Sequence, residues 1–371
     1  METNRREFLK CTAAAVSGLM LARATGFVST AEAGEALTLE QCVSMTPQAV
    51  AESSPLVQAS WDYLNKEIGK IKDSGIRSIL GAVYADPTPQ LAVRLDAAER
   101  KEIWTQLKAE GWTEQSEADF LPPIPAKDAC KTMIAPGSGY QSHHSYPGGL
   151  ITHVATNVII TSAIVDAYRS VYGYDVNRDI AMASQLMHDL HKPYVFQWQE
   201  DGSSRTEQPL AGTGEHHTLS LAELLVRKAP AELIVAQACA HTHPGNPDEE
   251  KKVVGWLSAA AVIAGVDPVE YGLLDKTGQT LPLPRRQEGF LCHLGDHDFV
   301  LSVPAVKWTL PVMKEIAQKD YKLSAADCEG KPFNSLRNVV YSRVSAMRVH
   351  NVYAHKGVDG VRELMLSVVR A

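Results

Sequence analysis

Five stretches decide how this chain is read: SHHSYPGGLITH (residues 142–153), MHDLHKPY (187–194), GEHHTLSLAELL (214–225), CAHTHPG (239–245) and IAGVDP (263–268). Each sets an imidazole or a carboxylate inside or beside an apolar run. His153, His188–Asp189, His216, His241 and Asp267 follow one another at gaps of 35, 27, 25 and 26 residues. Each gap is about one helix plus a turn, so a helical bundle would bring one donor per helix to a common centre. Nitrogen and oxygen donors gathered in this way suit a divalent metal ion. An aspartate buried without a cation or several donors would be costly, and Asp189 lies in an apolar setting between Met187 and Leu190.

Working outward, Ser145-Tyr146-Pro147-Gly148-Gly149 reads as a tight turn leading into a long apolar helix over 149–172, with His153 in its first turns. A second helix is expected over 178–191, ending near Pro193. Residues 197–212 are polar and bear glycines, which suits a loop or short hairpin over the site. Further helices are expected at 215–228, 230–242 and 251–265. The span 267–300 reads as irregular, and the group Cys292-His293-Leu294-Gly295-Asp296-His297-Asp298 within it as a polar turn. Helical character returns at 307–319 and 334–354, and Gly360–Arg370 reads as a terminal helix. Upstream, the pattern over 61–80 is amphipathic at helical spacing, and Ala97–Glu110 forms another helix by pattern. Residues 119–139 make a long proline-bearing approach loop. Strand-like material is scarce, so the expected fold class is all-α.

The motifs resemble the HD-domain superfamily of metal-dependent phosphohydrolases. The likeness is carried by YPGGLITH with His153, by His188–Asp189, by EHHTLSLAELL and by Asp267, over roughly residues 142–270. It implies His153, His188, Asp189 and Asp267 as core metal ligands. His216 and His241 would complete a second metal, with Asp189 bridging the two ions. The register of EHHTLSLAELL selects His216 over His217, and His243 stands second to His241. Lys192 is similar in position to a lysine that steadies phosphate. His191 stands where the family carries a glycine, and is expected either beside the ligands or against the substrate. The implied cofactors are divalent ions, two in number, of the manganese, iron, zinc or magnesium kind. The implied reaction is hydrolysis of phosphomonoesters or phosphodiesters by a metal-activated water, with Asp189, Lys192 and His191 as the catalytic set. His143 and His144 precede the turn, at the expected mouth. A di-iron oxygenase on the same ligands is one alternative, and an exported binding or scaffold module is another.

The chain has 371 residues, 45% of them apolar and 21% charged, with a formal charge of −7. A sizeable core is affordable, and no basic block marks a nucleic-acid partner. The expected partner is a small anionic substrate, a phosphate ester. The N-terminus holds Arg5-Arg6, a short apolar stretch over 12–22 and a small-residue site at Ala31-Glu32-Ala33. This resembles a twin-arginine export signal, which implies the export machinery as a partner and a periplasmic or other extracytoplasmic location. The domain reading is a signal peptide (1–33), a linker with a helical N-terminal region (34–140), a metal-binding core (141–270) and a loop region with a helical extension (271–371). Residues 34–55 read as a linker or arm. The cysteines after residue 33 show no paired spacing, which leaves room for one or two disulfides.

Overall fold

Side-chain caps and prolines mark the helix starts, and the computed structural model follows them; it describes residues 35–126 and 131–371. The longer helices are α1 (Pro55–Lys70), α2 (Ser74–Ala85), α3 (Ala97–Ala109), α4 (Gly149–Tyr172), α5 (Arg178–Met187), α6 (Glu215–Val226), α7 (Ala231–Ala238), α8 (Pro247–Ala264), α9 (Glu288–Gly295), α10 (Phe299–Lys319), α11 (Lys331–Val344) and α12 (Ala346–Val368), the last kinked at Gly357. Among the described residues, strands amount to two short pairs: β1 (Leu37–Thr38) parallel to β4 (Val369–Arg370), and β2 (Pro209–Leu210) antiparallel to β3 (Thr213–Gly214). The architecture is an all-α, HD-domain-like helical bundle. The twin-arginine stretch and Cys130 lie outside the described residues.

Helix α4 is the axis of the bundle. It packs against α1, α5 and α9, while α5 also meets α7, and α6 lies along α8. It is apolar and long enough to cross a membrane. Here, though, Leu150, Ile151, Val154, Ala155 and Val158 are buried in the main core. Its entry turn is set by two glycines. Gly148 is left-handed (φ 82°). At Gly149 a Cβ would fall 1.9 Å from the His144 carbonyl oxygen. The chain therefore folds back so closely that residues 137–145 lie on the start of α4, and the Gly137 amide donates to the His144 carbonyl at 2.8 Å.

The helix expected over 61–80 is two helices. Asp73 caps α2, accepting from the Ile76 amide at 2.9 Å, and Asp179 takes the amides of Lys72 and Asp73 at 2.8 Å each. A side-chain acceptor thus replaces the helical carbonyls at the break. Residues 34–55, read as a linker, contain two short helices, Leu39–Ser44 and Pro47–Glu52, capped by Thr38 and Thr46. Cys42 and Val50 join a second core formed with α10, α11 and α12. The span 267–300 is not irregular throughout: its glycines at 289 and 295 serve close helix approach within α9 and do not break it. Cys42, Cys239, Cys292 and Cys328 are buried free thiols, so no disulfide forms among the described cysteines.

Gly149→Ala should force apart the turn and α4. A loss of about 1–3 kcal/mol or more in unfolding free energy is expected, as for other overpacked sites, and urea unfolding followed by helical circular dichroism measures it.

Candidate metal centre

Helix α5 stops at Met187, and His188 and Asp189 occupy the turn that follows. Neighbours on a continuous helix would diverge by about 100°; in the turn they point to one place. His188 Nε2 lies 3.2 Å from Asp189 Oδ2 and 3.3 Å from Asp296 Oδ1. His153 Nε2, from α4, lies 3.2 Å from each of those oxygens and 3.3 Å from His188 Nε2. Four donors at these separations outline a cage. An ion with bonds of about 2.0–2.1 Å to four tetrahedral ligands has ligand–ligand edges of about 3.3 Å.

The other oxygen of Asp189 faces a second group. His216 Nε2, from the first turn of α6, lies 3.3 Å from Asp189 Oδ1. His241, in the turn after α7, completes this group and lies 3.8 Å from Asp296 Oδ2. Asp189 and Asp296 therefore each offer one oxygen to either side. Both oxygens of Asp189 are buried without a hydrogen bond, a condition that ligation to a cation relieves.

Outer contacts set the imidazole tautomers. His188 Nδ1 is 2.8 Å from the Gln185 carbonyl, and His216 Nδ1 bonds the Glu207 carboxylate. Each leaves Nε2 free to face the carboxylates, the usual arrangement around a ligating histidine. Asn157, one turn beyond His153, donates to Asp296 Oδ1 at 2.7 Å. Lys192 Nζ sits 2.5 Å from Asp189 Oδ2 and donates to the Gly137 carbonyl. The field favours positive charge. Burial opposes a charged imidazole, yet Asp189 and Asp296 raise His188 to about 9, and Glu207 and Asp189 raise His216 to about 9. Burial opposes ionisation of Asp189 and Asp296 too, but His188 leads the groups that hold both well below the usual carboxylate range. A bound cation takes the place of those imidazole protons. The donor set fits divalent-metal binding.

The expected and observed members differ at several positions. Asp267 is not brought to the centre: it is exposed, and its Oδ1 accepts from the amides of Val269 and Glu270 in the turn after α8. Asp296 stands in the cage instead, beyond the 141–270 span read as the core. Gly295 makes this possible, since a Cβ there would come within 1.9 Å of Thr161 Oγ1 on α4 and 2.8 Å of Gln185 Oε1 on α5. A glycine directly before an aspartate at a helix end was the available signal. His191 also turns away from the centre. It is buried against Tyr194, with Nε2 3.5 Å from Glu223 Oε2. Glu207, which sequence reasoning missed, belongs to the loop read as a cover over the site. His217 points to the Ala238 carbonyl and Trp256, and His243 stacks near Phe290 and His293, so neither faces Asp189.

A cavity of about 370 Å³ opens over the centre, where Ser142, His143, Lys192, Phe196 and Phe299 line it together with His153, His216, His241 and Asp296. That size suits a small ligand. A larger cleft of about 600 Å³ beside Cys239 and Arg285 carries no such cluster.

Over 99 residues the chain is 39% identical to the dihydroneopterin 2',3'-cyclic phosphate phosphodiesterase of Methanocaldococcus jannaschii. The match spans 27% of this chain and 39% of that relative. No family model and no solved structure matches the chain.

Asp296→Ala should lower bound metal measured by elemental analysis after loading and desalting, whereas Asp267→Ala should leave it at the parent level. Equal losses in the two variants would return Asp267 to the ligand set.

Proposed function

We propose that this protein hydrolyses a small phosphate ester, a phosphomonoester or phosphodiester, at a centre of two divalent ions. The observation that carries this reading is Asp189, whose two carboxylate oxygens face two separate donor groups. On one side stand His153, His188 and Asp296. On the other stand His216, fixed by Glu207, and His241. Two ions so held supply Lewis acidity and lower the pKa of water. Lys192 steadies Asp189 and presents an ammonium to the cavity, where it favours an anionic substrate. Phe196 and Phe299 give the cavity apolar walls for the uncharged part of the ester. The partial likeness to a phosphodiesterase supports ester hydrolysis over oxygen activation or a metal-holding scaffold. Arg5-Arg6 and the Ala31-Glu32-Ala33 site support export through the twin-arginine machinery into the periplasm or another extracytoplasmic space.

Asp189→Asn keeps the size of the side chain and removes the charge that balances both ions. Turnover of a phosphodiester found by screening should fall by at least roughly 100-fold, on the order of 3 kcal/mol in the barrier. His191→Ala should instead keep kcat near the parent value and lower Tm, because it leaves Glu223 buried with one partner fewer. Near-parental turnover in Asp189→Asn at saturating metal would defeat the two-ion reading.

The export reading has its own test. Replacing both arginines, Arg5→Lys with Arg6→Lys, should trap uncleaved precursor in the cytoplasm, as followed by fractionation and immunoblot. Normal maturation of that variant would remove the twin-arginine assignment.

A further inference from the structure

His153 has two ring nitrogens, and only Nε2 belongs to the centre described above. Its Nδ1 lies 3.3 Å from Asp298 Oδ1, yet both atoms are buried without a hydrogen bond. Unlike His188 and His216, this imidazole has no acceptor aligned behind it. The space it faces holds two more imidazoles. Ligand nitrogens of His143, His144 and His153 all lie within 4.8 Å of one another, and His144 Nε2 is 3.8 Å from Asp298 Oδ2. The Nδ1 atoms of His143 and His144 face each other at 2.6 Å, where two lone pairs repel unless a proton or a cation lies between or beside them. Imidazole binds a metal in its neutral form.

The loop that carries this pair is held firmly. The His144 amide donates to Ser138 Oγ at 3.1 Å, and the Tyr140 hydroxyl donates to Asn334 at 2.9 Å. Arg337 is buried with its guanidinium over the Tyr140 ring, 4.9 Å from the centroid. The donors thus sit on a braced loop, on the start of α4 and in the turn between α9 and α10. His143 lines the cavity, which provides a route from solvent.

We infer a third cation site, separate from the two groups around Asp189, in which His143, His144 and Asp298 bind a borderline divalent ion of the zinc kind with His153 Nδ1 at its inner edge. Two or three imidazoles with one carboxylate suit zinc or a neighbouring first-row ion better than magnesium or calcium, which favour oxygen. Opening the His143–His144 contact by less than about 1 Å gives the ligand–ligand edge of a tetrahedral ion.

The test uses the full chain loaded with zinc and freed of excess, with anomalous diffraction at the zinc edge and elemental analysis of the same preparation. An anomalous peak is expected at about 2.0–2.2 Å from donors on His143, His144 and Asp298. It should be resolved from the peaks beside Asp189. Bound zinc should fall by one ion per chain in His143→Gln/His144→Gln and likewise in Asp298→Asn, with helical circular dichroism retained; the second variant serves if the first does not fold. Asp189→Asn should weaken the two other peaks and leave this one. Filled groups at Asp189 with no peak at Asp298 would overturn the inference, as would zinc content unchanged in both variants. The peaks are read position by position, so failure of the two-ion centre and failure of this site are visible separately.

Discussion

A carboxylate buried in the middle of a helical protein is the constraint around which this structure is arranged. Asp189 is 1% exposed, and neither of its oxygens has a hydrogen bond. Left alone in a low-dielectric interior, such a group would cost several kcal/mol or would take up a proton. It does neither, because His153, His188, His216 and Lys192 converge on it from α4, α6 and the turn after α5. Each arrives at the end or in the opening turns of an element. Bringing these elements to one point with the ends of α7 and α9 requires close backbone approaches, which is why glycine occurs at the entry to α4 and at the end of α9.

The same geometry separates ligands from their supports. Gln185, Glu207 and Asn157 touch no common point themselves, yet they determine which nitrogen or oxygen each inner group presents. The supports come from the last turn of α5, from α4 one turn beyond His153, and from the cover loop. The shape of the centre is thereby tied to the packing of the bundle, and side-chain rotation contributes little freedom to it.

Much of this was legible in the sequence, for reasons specific to each residue. Polar groups inside apolar helical runs marked His153, His188–Asp189, His216 and His241, and the structure brings all of them together. Regular spacing then misled at Asp267. An aspartate followed by proline, after a glycine that ends a helix, is a turn former, and its carboxylate is consumed by the next two amides. Asp296 was hidden because Gly295 reads locally as a breaker, whereas its purpose is visible only when α4 and α5 lie against it. From its neighbours in sequence, His191 looked like a residue beside the ligands or against the substrate. Its direction depends on where α5 ends, and a helix boundary is uncertain by a residue or two from pattern alone. The capped short helices of residues 39–52 carried their signals openly, in Thr38 with Gln41 and in Thr46-Pro47, but their partner was the far end of the chain.

That last pairing has a consequence for the timing of assembly. Leu37 lies opposite Val369 and Thr38 opposite Arg370 in a parallel ladder, and the second core joins Cys42 and Val50 to Val361, Met365 and Val368. Contacts between the two extremes of the described chain cannot form until residues 361–370 have been synthesised. The bundle around Asp189 draws on residues up to Asp298 and can close earlier. The pairing of residues 37–38 must wait until α12 has left the ribosome, and the loop it then closes is the longest among the described contacts and the most costly in chain entropy.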